Sequence, residues 1–413
     1  LSRRSAQDRQ ALRVALIGLI SLAVAMGLGR FAFTPILPMM LSDGRVDLNE
    51  ASWLASSNYL GYLMGALACA LQPWLWARLR LRADPPLAAL VRAGLIGTTV
   101  FTLAMVLPLP WSWAGLRWGA GLASALVFVY ASGWCLSQLN RLGRPHWGGV
   151  IYAGPGAGIV ISGLAVTPMI AHDWPATWAW LSMAALALVG TALAWPTLVG
   201  PESDQERLMR PATQAGDRDE GHSRWLELGL TTVGYGLAGF GYIISATFLP
   251  VIARQSLPES VWLDLFWPLF GAGVFTGALL STRLAAAHDK RQLLCIGFVI
   301  QAAALTVSLL SPTVHGFVVS SFFLGLPFTA LSFFAMQEAR RLRGGTAASF
   351  MGLLTATYGL GQVLGPLLVG WLLTHTAARE GFNLALTLAC AALLTGGAFF
   401  AFLRYRYPVV SLG

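Results

Sequence analysis

Twelve apolar stretches run through the chain, near residues 14–40, 51–76, 86–108, 111–138, 147–171, 176–199, 226–252, 260–284, 292–311, 315–337, 347–374 and 382–403. Each is close to or longer than the roughly 20 residues a helix needs to cross a bilayer's hydrocarbon core. Backbone groups in lipid must find their partners within the protein, so stretches of this kind are helices, numbered here 1 to 12. Only 11% of the 413 residues are charged and 56% are hydrophobic, whereas soluble domains carry about 25% charged residues. The pattern excludes a soluble fold and predicts an all-α integral membrane protein with 12 transmembrane helices.

Arginine placement sets the orientation. With both termini cytoplasmic, the inner segments collect 22 Arg and Lys residues. The outer loops hold only Arg45, Arg254 and Arg379, and Arg30 and Arg117 fall inside the membrane. This is a strong positive-inside bias, and it fits an even helix count. Sixteen Trp suit aromatic belts at the interfaces. The basic N-terminus followed by "VALIGLISL" resembles a secretory signal, but the apolar run continues to Met40, which reads as an uncleaved first helix. The expected location is a bacterial-type inner (plasma) membrane. The net charge of +9 comes from short clusters between apolar runs and forms no single basic face, so no nucleic-acid partner is expected.

Residues 201–224, "PESDQERLMRPATQAGDRDEGHSR", read as a flexible cytoplasmic linker between a bundle over 1–200 and a second over 225–413. The halves repeat each other. A shift of 212 residues lays Gly27, Gly29, Leu37 and Pro38 on Gly239, Gly241, Leu249 and Pro250. The same shift lays Gly61, Gly65, Ala66 and Leu67 on Gly273, Gly277, Ala278 and Leu279. A shift of 207 matches Gly154, Gly158 and Gly163 to Gly361, Gly365 and Gly370. Repeats displaced by an even number of helices share one orientation, giving two parallel six-helix pseudo-repeats about an axis along the membrane normal.

No P-loop, HExxH or GxSxG pattern occurs, so neither ATP hydrolysis nor hydrolase chemistry is expected, and the chain does not read as an enzyme. Cys69, Cys135, Cys295 and Cys390 each stand alone in an apolar segment, without metal-ligand spacing. No metal or cofactor is expected.

Two stretches carry a family resemblance. "GRFAFTPILPMM" followed by "ASWLASSNYLGYLMGAL" at 51–67 resembles the YbfB/YjiJ-type branch of the major facilitator superfamily. "RWGAGLASA" at 117–125 is similar to that superfamily's helix-4 motif, and "GPGAG" at 154–158 and "GQVLGPLLVG" at 361–370 to the helix-5 pattern of proton-drug antiporters. In the helix 2–3 loop, "ARLRLRAD" is degenerate, while "AHDKRQ" at 287–292 keeps Asp289, Lys290 and Arg291. The resemblance implies the major facilitator fold and alternating access, in which two halves rock about a central site lined chiefly by helices 1, 4, 7 and 10.

Arg30 is the leading site candidate. It lies 17 residues past Arg13, roughly 25 Å along helix 1, too deep for easy snorkelling. A charge at that depth faces a wet cavity or ties helices together, and both roles are open. Tyr242 is its repeat mate. Arg117 lies about 9 Å into helix 4 and is either part of the mechanism or an interfacial arginine. Asn58 with Tyr62, and Tyr358 with Gln362, are pairs four residues apart on one helix face, suited to line a cavity or to hydrogen-bond between helices. Asp264, in the outer part of helix 8, is a candidate to load a coupled proton or to partner an arginine. Glu227 and Glu338 sit nearer the cytoplasmic ends of helices 7 and 10, where gate or helix-end roles fit. Pro35 and Pro38 would bend the outer half of helix 1 and act as its hinge.

The expected function is secondary active transport of a small organic solute by a monomer in the lipid bilayer, with a proton as coupling ion. Substrate contacts are expected from Arg30, Arg117, Tyr242, Asn58 and Gln362. Two central arginines with little acidic company favour an organic anion; an apolar lining would also suit amphipathic drugs exchanged for protons. A membrane sensor or scaffold that kept the fold without transporting is the third alternative.

Overall fold

The computed structural model describes residues 2–78, 86–198, 221–258, 260, 262–343 and 347–408. Residues 201–220 of the expected linker lie outside the described residues. Among the described residues there is no strand, and twelve helices are long and apolar enough to cross a membrane. They are α1 (Gln7–Ser42), α2 (Leu48–Gln72), α3 (Leu87–Ala104), α4 (Pro110–Arg141), α5 (Trp147–Ala171) and α6 (Ala176–Ala194) in the first half. The second half holds α7 (Trp225–Ser256), α8 (Trp262–Leu284), α9 (Lys290–Leu310), α10 (Val314–Arg343), α11 (Phe350–His375) and α12 (Ala378–Arg406). All twelve expected stretches are helices.

Local signals place the helix ends. At the start of α2 the Asp47 amide donates to Glu50 Oε2 at 2.9 Å, and the Glu50 amide to Asp47 Oδ1 at 2.7 Å, a reciprocal capping box. Asp289 accepts from the Arg291 amide ahead of α9, and Thr313 from the Gly316 amide ahead of α10. Pro110 opens α4, where a missing N–H costs nothing.

α1 departs from regular geometry more than its prolines alone predict. It is α-helical over Ser2–Leu22, widens to a π-helix over Ala23–Phe31, and returns to α-helix over Phe33–Ser42 with Pro38 inside. Pro35 brings no N–H, so a carbonyl about one turn back loses its usual donor. The irregular stretch therefore lies on the N-terminal side of the prolines and contains Arg30.

The repeat is visible in the packing. A Cβ on Gly65 would lie 2.8 Å from the Leu122 carbonyl oxygen of α4. On its mate Gly277 it would lie 2.7 Å from the Leu326 carbonyl carbon of α10. In each half, then, the second helix touches the fourth, backbone to backbone. Thr34 Oγ1 donates to the Ala246 carbonyl at 2.9 Å, and the two residues are 212 apart, so α1 meets its own repeat mate α7 at the pseudo-two-fold axis. The halves also meet along α5 and α8, where a Cβ on Gly156 would stand 2.8 Å from the Gly271 carbonyl oxygen. They meet again along α2 and α11, where Ser56 Oγ donates to the Val363 carbonyl at 3.1 Å. Small residues at these seams allow the close approach, as in other membrane helix pairs.

Candidate functional site

A cavity of about 800 Å³ lies between the halves, lined from α1, α2, α4 and α5 on one side and α7, α8, α10 and α11 on the other. Its lining runs from Arg30 and Gln362 to Gly148 at the start of α5, Arg340 near the end of α10 and Gly352 near the start of α11. Those ends carry the arginine-rich loops. On the opposite side of Arg30 the halves are pressed together. Phe31 packs on Trp267 and Phe328 with ring centroids 6.3 and 5.9 Å apart, and the Tyr59 and Thr247 hydroxyls meet at 2.9 Å. With the Thr34 and Ser56 bonds, these contacts close that end.

Arg30 stands at the closed end of the cavity, only 2% exposed. Its guanidinium lies 3.9 Å from the Tyr62 ring centroid, with the rings of Tyr59 and Phe31 further off at 5.0 and 5.1 Å. Nη2 donates to Gln362 Oε1 at 2.7 Å, and Gln362 Nε2 in turn donates to the Tyr242 hydroxyl. Arg30 and its repeat mate are thus bridged by one glutamine. Arg30 Nε has no hydrogen-bond partner among the described residues, and none of the ion pairs between them involves Arg30. A buried cation held only by an amide and aromatic faces is undercompensated: each face contributes about 0.5–2 kcal/mol, less than desolvating the charge costs.

Arg117 points elsewhere. It donates to the Gly29 carbonyl at 3.2 Å and the Arg30 carbonyl at 2.9 Å, in the π-helical stretch that precedes Pro35. It thereby satisfies backbone acceptors freed by the irregular turn, and it does not line the cavity. Asn58 is one layer further out, donating to the Arg117 carbonyl at 2.8 Å. Of the five expected substrate residues, Arg30 and Gln362 line the cavity; Tyr242 supports Gln362 from behind, and Arg117 and Asn58 hold α1, α2 and α4 in register. Asp264 is ion-paired with Arg254 and also lies outside the lining.

Other lining residues escaped the sequence reading. Tyr235 lies seven residues before Tyr242, two turns back on the same helix face, and this spacing was the available signal. Phe128, Tyr152, Phe328 and the exposed Arg340 had none that separated them from packing residues.

A family model described as "Uncharacterised MFS-type transporter YbfB" matches residues 22–401. The chain belongs to the YbfB-type branch of the major facilitator superfamily. Like the rest of that family it is a membrane transporter and not an enzyme. A comparison with curated protein sequences found no match. Among solved structures, the chain is similar to a crystal structure of a point mutant of the nucleoside transporter NupG, with a TM-score of 0.69 and 15% identity over 94% of this chain and 99% of that one. It is similar also to a second crystal structure of NupG, with a TM-score of 0.65 and 15% identity over 96% and 99% of the two chains. At that identity the likeness establishes the shared fold. The YbfB-type chain has a cavity between its halves and furnishes it with an arginine, Arg30, that no described carboxylate neutralises.

Proposed function

We propose that this YbfB-type protein is a secondary transporter of a small organic anion, with Arg30 as the anchor for the anionic group. The observation that carries the reading is the cation at the closed end of the cavity, 2% exposed and without an acidic partner among the described residues. A carboxylate arriving there gains charge-assisted hydrogen bonds and completes the charge balance of the site. Gln362, oriented by Tyr242, shares the anchoring. The halves 1–200 and 225–413 rock about this site, joined by the 201–224 linker, and Pro35 and Pro38 supply the bend in α1 that the motion uses. No proton step is assigned to Asp264, whose carboxylate Arg254 already holds.

Thermal unfolding of the detergent-solubilised chain tests the reading with a panel of small carboxylates and amines. Carboxylates are expected to raise the melting temperature in a saturable way. A response confined to amines would overturn the anion assignment and favour cationic amphipathic solutes.

The cavity mouth and the arginine-rich loops share one face, which supports a cytoplasmic position for both, with the termini on the same side. A cysteine placed at 201–220 should be shielded from an impermeant thiol reagent in right-side-out cells. Labelling there, with none at positions 43–47, would reverse the orientation.

A further inference from the structure

The geometry points to a carboxylate with a flat aromatic body as the occupant of this cavity; the inference rests on the anion reading and specifies the rest of the molecule. Each half contributes a wall of rings. In the first, Tyr62 is in ring contact with Phe128 at 6.5 Å, and Phe128 with Tyr152 at 6.1 Å, so three rings run along the lining from the Arg30 end. In the second, Tyr235 stacks on Tyr358 at 4.7 Å and 24°, and Tyr358 on Tyr242 at 5.9 Å and 19°; Tyr235 and Tyr358 line the cavity.

These rings are held in place. Tyr235 OH donates to Ser332 Oγ at 2.9 Å, and Tyr242 accepts from Gln362. Tyr62 is fixed by the guanidinium above it. Preset planes favour a flat ligand, because a stacked ring gains its contact without ordering new side chains. An aliphatic carboxylate of equal size would satisfy Arg30 but leave the ring faces with poorer contact. The carboxylate belongs at Arg30 and Gln362, and the ring system extends from there between the two walls.

The test uses the full chain in detergent and three probes matched in size: 2-naphthoate, decahydro-2-naphthoate and 2-naphthamide, each titrated by thermal shift. The first should bind at least about tenfold more tightly than its saturated counterpart, as two or three ring contacts would give. The amide should not bind measurably. Tyr235→Leu removes one ring of the second wall and should lower the preference for naphthoate over decahydronaphthoate; an unchanged preference would overturn the part given to that wall. Equal affinity for the two carboxylates, or no binding of naphthoate, overturns the aromatic assignment and leaves the anion reading to the carboxylate panel. Binding of 2-naphthamide as tight as that of 2-naphthoate would instead remove the anion reading itself.

Discussion

Arg30→Ala should leave the chain folded and take away its response to anions. Truncating one partner of a buried charge pair costs about 2–5 kcal/mol, which is roughly 30- to 4000-fold in affinity. Arg30→Lys should weaken binding less, by about tenfold, because a lysine keeps the charge but loses the planar two-pronged geometry. The melting temperature of each variant without ligand separates this from a tethering role. Arg30 makes one side-chain hydrogen bond between the halves, to Gln362. Were that tether its purpose, Arg30→Ala would melt markedly lower yet keep a normal ligand-induced shift. A stable variant that has lost the shift identifies the anchor.

The largest stability effect is expected far from the cavity's closed end, at Arg291. This side chain is fully buried at the start of α9. Its Nε donates to Glu338 Oε1 of α10 at 2.6 Å, and it also pairs with Glu227 of α7. Nη1 donates to the Leu403 and Tyr407 carbonyls at the end of α12, at 2.8 and 2.7 Å. Arg341 adds a second cation on Glu338, with Nη2 donating at 2.7 Å. One guanidinium therefore joins four helices. Arg291→Met leaves Glu338, 1% exposed, with only Arg341 and takes the side-chain donor from the Tyr407 carbonyl, while the Leu403 carbonyl keeps the Tyr407 amide at 3.0 Å. A buried pair broken on one side costs about 3–5 kcal/mol. The variant should melt well below the wild type and extract in low yield, and adding Glu338→Gln should recover part of the loss. Unchanged melting in Arg291→Met would show that the network contributes nothing net.

What the sequence disclosed, and what it did not, follows from how lipid constrains a chain. Length and hydrophobicity report where helices lie because every backbone group in hydrocarbon must be paired. The 212-residue shift proved physical: Gly65 and Gly277 make the same contact in their own halves, and Thr34 bonds the residue that its shift predicts. That Arg30 and Arg117 fall within the long apolar helices was legible as well, and both are buried there. Rotation about the helix axis was not. Arg30 turns toward the cavity and Arg117 toward the carbonyls of α1, and nothing in the spacing separates the two. For Asn58, too, spacing leaves cavity lining and interhelical bonding open, and the structure has the second, with its amide on the Arg117 carbonyl. For Asp264 the arginine-partner alternative is the one the structure has; the sequence does not single out Arg254, ten residues earlier and across a helix hairpin, as that partner. Pro35 and Pro38 announced an irregular α1, but proline statistics locate a kink near the ring; the nine-residue π stretch before it also holds the Gly29 and Arg30 carbonyls on which Arg117 donates.

The most direct measurement is counterflow in proteoliposomes. The purified chain is reconstituted without nucleotide, and the vesicles are loaded with the unlabelled carboxylate that gives the largest thermal shift. They are then diluted into a trace of the same compound in labelled form. A secondary transporter anchored on Arg30 predicts a transient accumulation of label inside wild-type vesicles, and none above protein-free liposomes for Arg30→Ala. Wild-type vesicles that stay at the protein-free level, although the same carboxylate stabilises the protein in detergent, would contradict transport and leave a membrane sensor that binds anions.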